Sequence, residues 1–132
     1  MWSHWLMSAP IVLVVEDEPL VSELMAEALN DEGVHVLCAA SFSEACELLK
    51  TRGAEIRVLF TDINLGPPPD GFAVAVEARR VNPAIFVLYT SGHAEAEVGD
   101  RGVPGAMVVP KPYQVRPLAS RIAALAKVAA TR

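Results

Sequence analysis

Cysteine is scarce in this chain of 132 residues: Cys38 and Cys46 are its only two, and they form no C-x-x-C pair. That argues against a disulfide framework and predicts reduced, fairly buried thiols in a cytoplasmic protein. Histidine is scarce too. His4, His35 and His93 stand apart from one another and from the cysteines, at no metal-ligand spacing, and read as surface residues. No apolar run approaches the roughly 20 residues needed to cross a bilayer. No basic block or stripe accompanies the net charge of -5, so direct binding to nucleic acid lacks its main source of affinity, phosphate neutralisation. Met1 to Pro10 holds Trp2 and Trp5 but has neither a basic start nor a long apolar core, and is no signal peptide by pattern. Residues 1–8 are expected to be a mobile extension before a single domain over residues 9–130. What remains is 52% apolar and 20% charged, an ordinary globular balance sufficient for one core.

Five short apolar runs alternate with helical patterns, and no linker or repeat divides them. Ile11–Val15 is continuously apolar and β-branched, the mark of a parallel strand covered on both faces. Pro19 suits a first helical turn. Leu20, Leu24, Met25, Ala28 and Leu29 then recur at helical spacing until Gly33. Residues 34–39 alternate more and read as an edge strand. Ser41 or Ser43 caps the next helix, with Phe42, Ala45, Leu48 and Leu49 on its inner face. Residues 56–61 form the third strand, 72–81 a helix, 85–89 the fourth strand and 106–109 a short fifth. A broken segment at 93–100 holds at most a short helix. Val115, Leu118, Ile122 and Leu125 make the stripe of the last one. Strict alternation predicts an α/β fold with a parallel sheet, right-handed crossovers and helices on both faces.

In such sheets ligands bind beyond the carboxyl ends of the strands. Four polar groups fall there: Glu16-Asp17 after the first strand, Asp62 after the third, Thr90-Ser91 after the fourth and Lys111 after the fifth. Each alone has a plainer explanation. Glu16, Asp17 and Glu18 suit a solvated helix start, Asp62 an Asx-turn, Thr90 or Ser91 a helix cap, and Lys111 a surface lysine. Together they place carboxylates, a hydroxyl and an ammonium on one edge, the parts needed to hold a divalent cation and a phosphoryl group. Asp70, beside Gly71, reads as a turn and cap residue.

This ordered set resembles the receiver domain of two-component response regulators, over Ala9 to about Ala130. The resemblance implies a flavodoxin-like, doubly wound five-stranded sheet of order 2-1-3-4-5. It also implies that Asp62 is the phosphoacceptor, taking a phosphoryl group from a histidine kinase or histidine phosphotransfer protein. Asp17 and Asp62 would ligate Mg²⁺ directly, Glu16 through water, and Asn64 by its backbone carbonyl. Lys111 would supply a point charge and Thr90 a hydroxyl donor, with Lys111-Pro112 a candidate cis bond.

The chain departs from the family at several positions. Val108 stands where Tyr or Phe is common, which removes the usual ring coupled to the hydroxyl residue. Glu16 replaces a common Asp, and the loop Gly66-Pro67-Pro68-Pro69 favours a stiff, extended path. Asn64 and Gly92 leave the water approach to the phosphoryl group open, which predicts a short-lived acyl phosphate. With no output segment after Arg132, the expectation is a stand-alone switch that signals by contact with a downstream protein, without membrane insertion, as a monomer or a weak phosphorylation-dependent dimer. A receiver cut from a hybrid kinase is the alternative. An aspartyl-phosphate phosphatase would want Asp-x-Asp where the chain has Glu16-Asp17-Glu18, and a flavin module would want a hydroxyl- and Gly-rich loop after the first strand.

Overall fold

The computed structural model describes residues 9–92 and 95–130, side chains at 95–97 and 130 excepted. The expected N-terminal extension, with Trp2, Trp5 and His4, lies outside the described residues, as does His93. Five strands, β1 (Ile11–Val15), β2 (His35–Ala39), β3 (Ile56–Asp62), β4 (Phe86–Ser91) and β5 (Met107–Pro110), form one parallel sheet of order β2-β1-β3-β4-β5. Among the described residues five α-helices connect and follow them: α1 (Pro19–Asp31), α2 (Phe42–Arg52), α3 (Gly71–Val81), α4 (Glu95–Arg101) and α5 (Val115–Ala130). The parallel sheet is what the alternation predicts, and its doubly wound order is the one the resemblance implies.

The continuous apolar run of β1 has its explanation in two separate cores. Leu13 and Val15 pack with Leu49, Phe72 and Ala75 of α2 and α3, while Val12 and Val14 pack with Met25, Leu29 and Ile122 of α1 and α5. Alternate residues of one strand thus serve opposite faces, and neither face tolerates a polar side chain. Turn chemistry sets the joints. Pro19 opens α1, and Gly33 at φ +85° follows its end, a left-handed conformation that costs glycine little. Ser41 caps α2 by accepting the Glu44 N–H at 3.2 Å, and Glu44 in turn accepts the Ala40 N–H at 2.9 Å. Asp70 caps α3 by accepting the Ala73 N–H at 3.2 Å.

Three expectations need correction. Leu20 and Leu24 do not join the inner face of α1; they are 67% and 48% exposed. The row that reaches the sheet is Met25, Ala28 and Leu29, and the Leu20–Leu24 row lies off it on the helix surface. Cys38 is exposed and Cys46 only half-buried. β2 is the sheet edge, so Cys38 opens into a shallow groove with Pro19, Ser22 and Glu23 instead of lying under α1. The proline loop is not uniformly extended, because the Pro68–Pro69 bond is cis. Among the described residues, no helix is long and apolar enough to cross a membrane.

Candidate phosphoryl and metal site

The strand order brings the ends of β1, β3, β4 and β5 side by side. β3 and β4 pair Asp62 with Thr90 in register, and the Ile63 N–H donates to the Thr90 carbonyl at 3.1 Å. Lys111 follows β5, held by its N–H to the Ser91 carbonyl at 3.0 Å, and Lys111-Pro112 is cis. The buried Asp62 carboxylate accepts from two sides: Lys111 Nζ at 2.7 Å on Oδ2 and the Asn64 N–H at 3.1 Å on Oδ1. The Asn64 side chain accepts the Gly66 N–H at 3.2 Å and so shapes the loop.

Glu16 is buried and Asp17 exposed, and one carboxylate oxygen from each of Glu16, Asp17 and Asp62 lies within 4.8 Å of the others. Burial raises the Glu16 pKa to about 7, against the pull of the Glu18 N–H and with the added repulsion of Asp62. Crowded carboxylates in low dielectric disfavour the charged form. A hard cation with oxygen ligands suits this donor set, and its charge would relieve the crowding. Lys111 is the cation already present. Partial burial lowers its pKa, but the hydrogen bond and charge of Asp62, and the charge of Glu16, outweigh this and leave it raised. Thr90 is buried, and its hydroxyl has no hydrogen-bond partner among the described residues. Gly92 is exposed, and a Cβ placed there would meet nothing within 4 Å.

The structure therefore gathers Glu16, Asp17, Asp62, Asn64, Thr90 and Lys111 at one sheet edge. It also holds a contact that sequence reasoning passed over. Arg101 pairs with Asp70 across 31 positions, which no local spacing signals. Tyr89 sits beside Val108 in register, at the strand neighbouring the missing aromatic.

A parallel sheet of this order with this constellation at its carboxyl edge defines a signalling receiver. The chain matches the response regulator receiver domain family over residues 12–123 and belongs to it; it is a receiver domain of two-component signalling. It is 33% identical over 114 residues to the sensor kinase CckA of Brucella abortus (strain 2308), a match covering 84% of this chain and 12% of that protein. It is 31% identical over 116 residues to the probable transcriptional regulatory protein TcrX of Mycobacterium tuberculosis (strain ATCC 25618 / H37Rv), covering 86% and 48%. The chain thus spans less than half the length of these curated relatives. Among solved structures, a response regulator receiver protein from Sinorhizobium medicae WSM419 superposes with a TM-score of 0.83 at 33% identity, covering 93% of this chain and 98% of that one. The receiver domain of the hybrid histidine kinase CckA gives 0.73 at 30% identity, covering 87% and 97%.

Proposed function

We propose that Asp62 is the phosphoacceptor of this receiver, taking a phosphoryl group from a phosphohistidine of a kinase or phosphotransfer protein. A carboxylate oxygen of Asp62 attacks phosphorus as the P–N bond breaks. The electron pair returns to the imidazole nitrogen, which takes a proton from water. Because such transfer rests mainly on positioning and charge stabilisation, the neighbours carry the chemistry. Lys111 supplies a point charge beside the acceptor, and Thr90 donates its hydroxyl to a phosphoryl oxygen. Asp17 and Asp62 would hold Mg²⁺ directly, Glu16 through water and Asn64 by its carbonyl; bound there, the ion neutralises phosphoryl oxygens. The observation that carries the reading is the buried Thr90 hydroxyl, unpartnered among the described residues, in register with a lysine-paired carboxylate.

The donor has a place to lie. An open, mainly apolar groove of about 430 Å³ runs from Glu16 and Lys111 past Val21, Leu24 and Tyr113. The exposed Leu24 lines this groove beside the site, which fits an apolar helix face presenting a phosphohistidine. The domain over 9–130 would act as a cytoplasmic switch with no multiple turnover of its own, signalling by contact with a downstream protein. Incubation with acetyl phosphate and Mg²⁺ tests the acceptor. Wild type should gain one acid-labile phosphoryl group by mass, and Asp62→Asn none; equal labelling of the mutant moves the acceptor elsewhere. The open approach at Gly92 predicts that Gly92→Arg slows phosphate release from the purified phosphoprotein, and a faster release counts against steric openness.

A further inference from the structure

Val108 leaves the family's ring position empty, but β4 supplies a ring next to it, since Tyr89 pairs with Val108 and immediately precedes Thr90. The Tyr89 ring is fully buried against Phe72, with centroids 5.0 Å apart and planes at 51°. The Arg101 guanidinium lies 4.3 Å from the centre of the Phe72 ring and donates to Asp70 Oδ2 at 2.8 Å. A continuous stack of Arg101, Phe72 and Tyr89 therefore runs from the surface to the residue beside Thr90.

Both sides of the stack are fastened to the site. Gly71, between Asp70 and Phe72, is pressed so closely on β3 that an added Cβ would lie 2.1 Å from the Asp62 carbonyl oxygen. Its N–H donates to the Ile63 carbonyl at 2.8 Å. On the other side, the Tyr89 hydroxyl accepts the Val103 N–H at 3.1 Å, and a Cβ at Gly102 would lie 3.3 Å from the Tyr89 ring. α3 is thus tied to the backbone of Asp62, and the end of α4 to the strand that carries Thr90. Arg101 joins the two at the surface. Arg79 of α3 pins the chain just beyond, its Nη1 donating to the Pro104 carbonyl at 2.8 Å.

We propose that this stack is a conformational latch, closed in the geometry described, that holds α4 against α3 and opens when Thr90 engages a phosphoryl group on Asp62. The idea rests on the phosphoacceptor reading and adds the route by which the signal leaves the site. Movement of Thr90 toward Asp62 shifts the end of β4 and the Tyr89 ring with it. The Tyr89–Val103 hydrogen bond passes that shift to the end of α4, where the Arg101–Asp70 pair resists it. The Arg101 side chain is 52% exposed, so the pair is weak. Weakness suits the role, because one bound ligand can shift an equilibrium only by its differential affinity for the two states.

Calorimetric titration of the full chain with beryllofluoride and Mg²⁺, alongside amide exchange of residues 98–103, tests the latch. Asp70→Asn keeps a capping side chain for α3 while removing the charge, and Arg101→Gln alters an exposed position, so both variants fold. Each should bind beryllofluoride about three- to ten-fold more tightly than wild type, as expected when an exposed ion pair and a ring contact no longer oppose the activated state. Their amides at 98–103 should exchange faster before ligand is added, and the double variant should match Arg101→Gln, not the product of the two single effects. Unchanged or weaker binding in both variants overturns the latch and leaves the phosphoacceptor reading standing. Absence of any Mg²⁺-dependent binding by wild type overturns both.

Discussion

At Thr90 a hydroxyl is buried with no partner among the described residues, while the adjacent Asp62 carboxylate accepts from both Lys111 and Asn64. A buried polar group left unpaired costs about 1–3 kcal/mol, a cost that a ligand at the site would recover. Thr90→Val keeps the shape and removes the hydroxyl. It should raise stability to urea by about 1 kcal/mol while Asp62 still takes up phosphoryl groups and the ensuing conformational response is lost. A less stable variant would show that the hydroxyl is satisfied in solution and has no such role. Residue types and order made this site legible in the sequence, since Glu16, Asp17, Asp62, Thr90 and Lys111 each close an apolar run. The environment of each was not legible. The rise of the Glu16 pKa to about 7 comes first from its burial, and nothing in a stretch of three acids says that the first is buried and the second exposed.

Elements were readable wherever local chemistry decided them. Ser41 and Asp70 both cap as their positions suggest, and all five strands occur where apolar runs stand. Side-chain exposure on those elements was harder. Leu20 and Leu24 keep helical spacing with Ala28, but which row of α1 meets the sheet depends on how the helix lies across β1, a long-range matter. Cys38 follows the same logic, because only the sheet order makes β2 an edge. The Arg101–Asp70 pair depends on α3 and α4 being neighbours. Two substitutions check these joints. Ser41→Ala removes the acceptor of the Glu44 N–H and should lower stability by about 1 kcal/mol, measured by urea unfolding, with phosphoryl uptake unchanged. Gly71→Ala is different in kind, because its Cβ would lie 2.1 Å from the Asp62 carbonyl oxygen and 2.8 Å from the Ile63 Cα, both backbone. Neither can yield as a flexible side chain would. The expected loss is about 1–3 kcal/mol, accompanied by slower phosphorylation by acetyl phosphate, since the acceptor itself must shift. A loss of stability with unaltered uptake would separate the start of α3 from the positioning of Asp62.

Across the molecule, a net charge of -5 is distributed so that three carboxylates converge at one end of the sheet, offset by Lys111. The two cores on either side of β1 and β3 hold that end in place, so the repulsion among the acids is sustained by packing elsewhere. A cation that binds the folded site and not the unfolded chain should then stabilise the whole domain by mass action. The gain is about 2.7 kcal/mol at one hundred times the dissociation constant, enough for a rise of several degrees in melting temperature. Magnesium chloride titrated during thermal unfolding should produce this rise in wild type. Sodium chloride at matched ionic strength should give much less, because it only screens. Asp17→Asn removes a ligand at an exposed position with little cost to packing, and should raise the magnesium concentration needed for half the effect. Addition of a chelator should reverse the rise in wild type. If sodium chloride matches magnesium chloride, or if Asp17→Asn responds as wild type does, the acids share repulsion without forming a metal site. Asp62 would then depend on Lys111 alone for its countercharge.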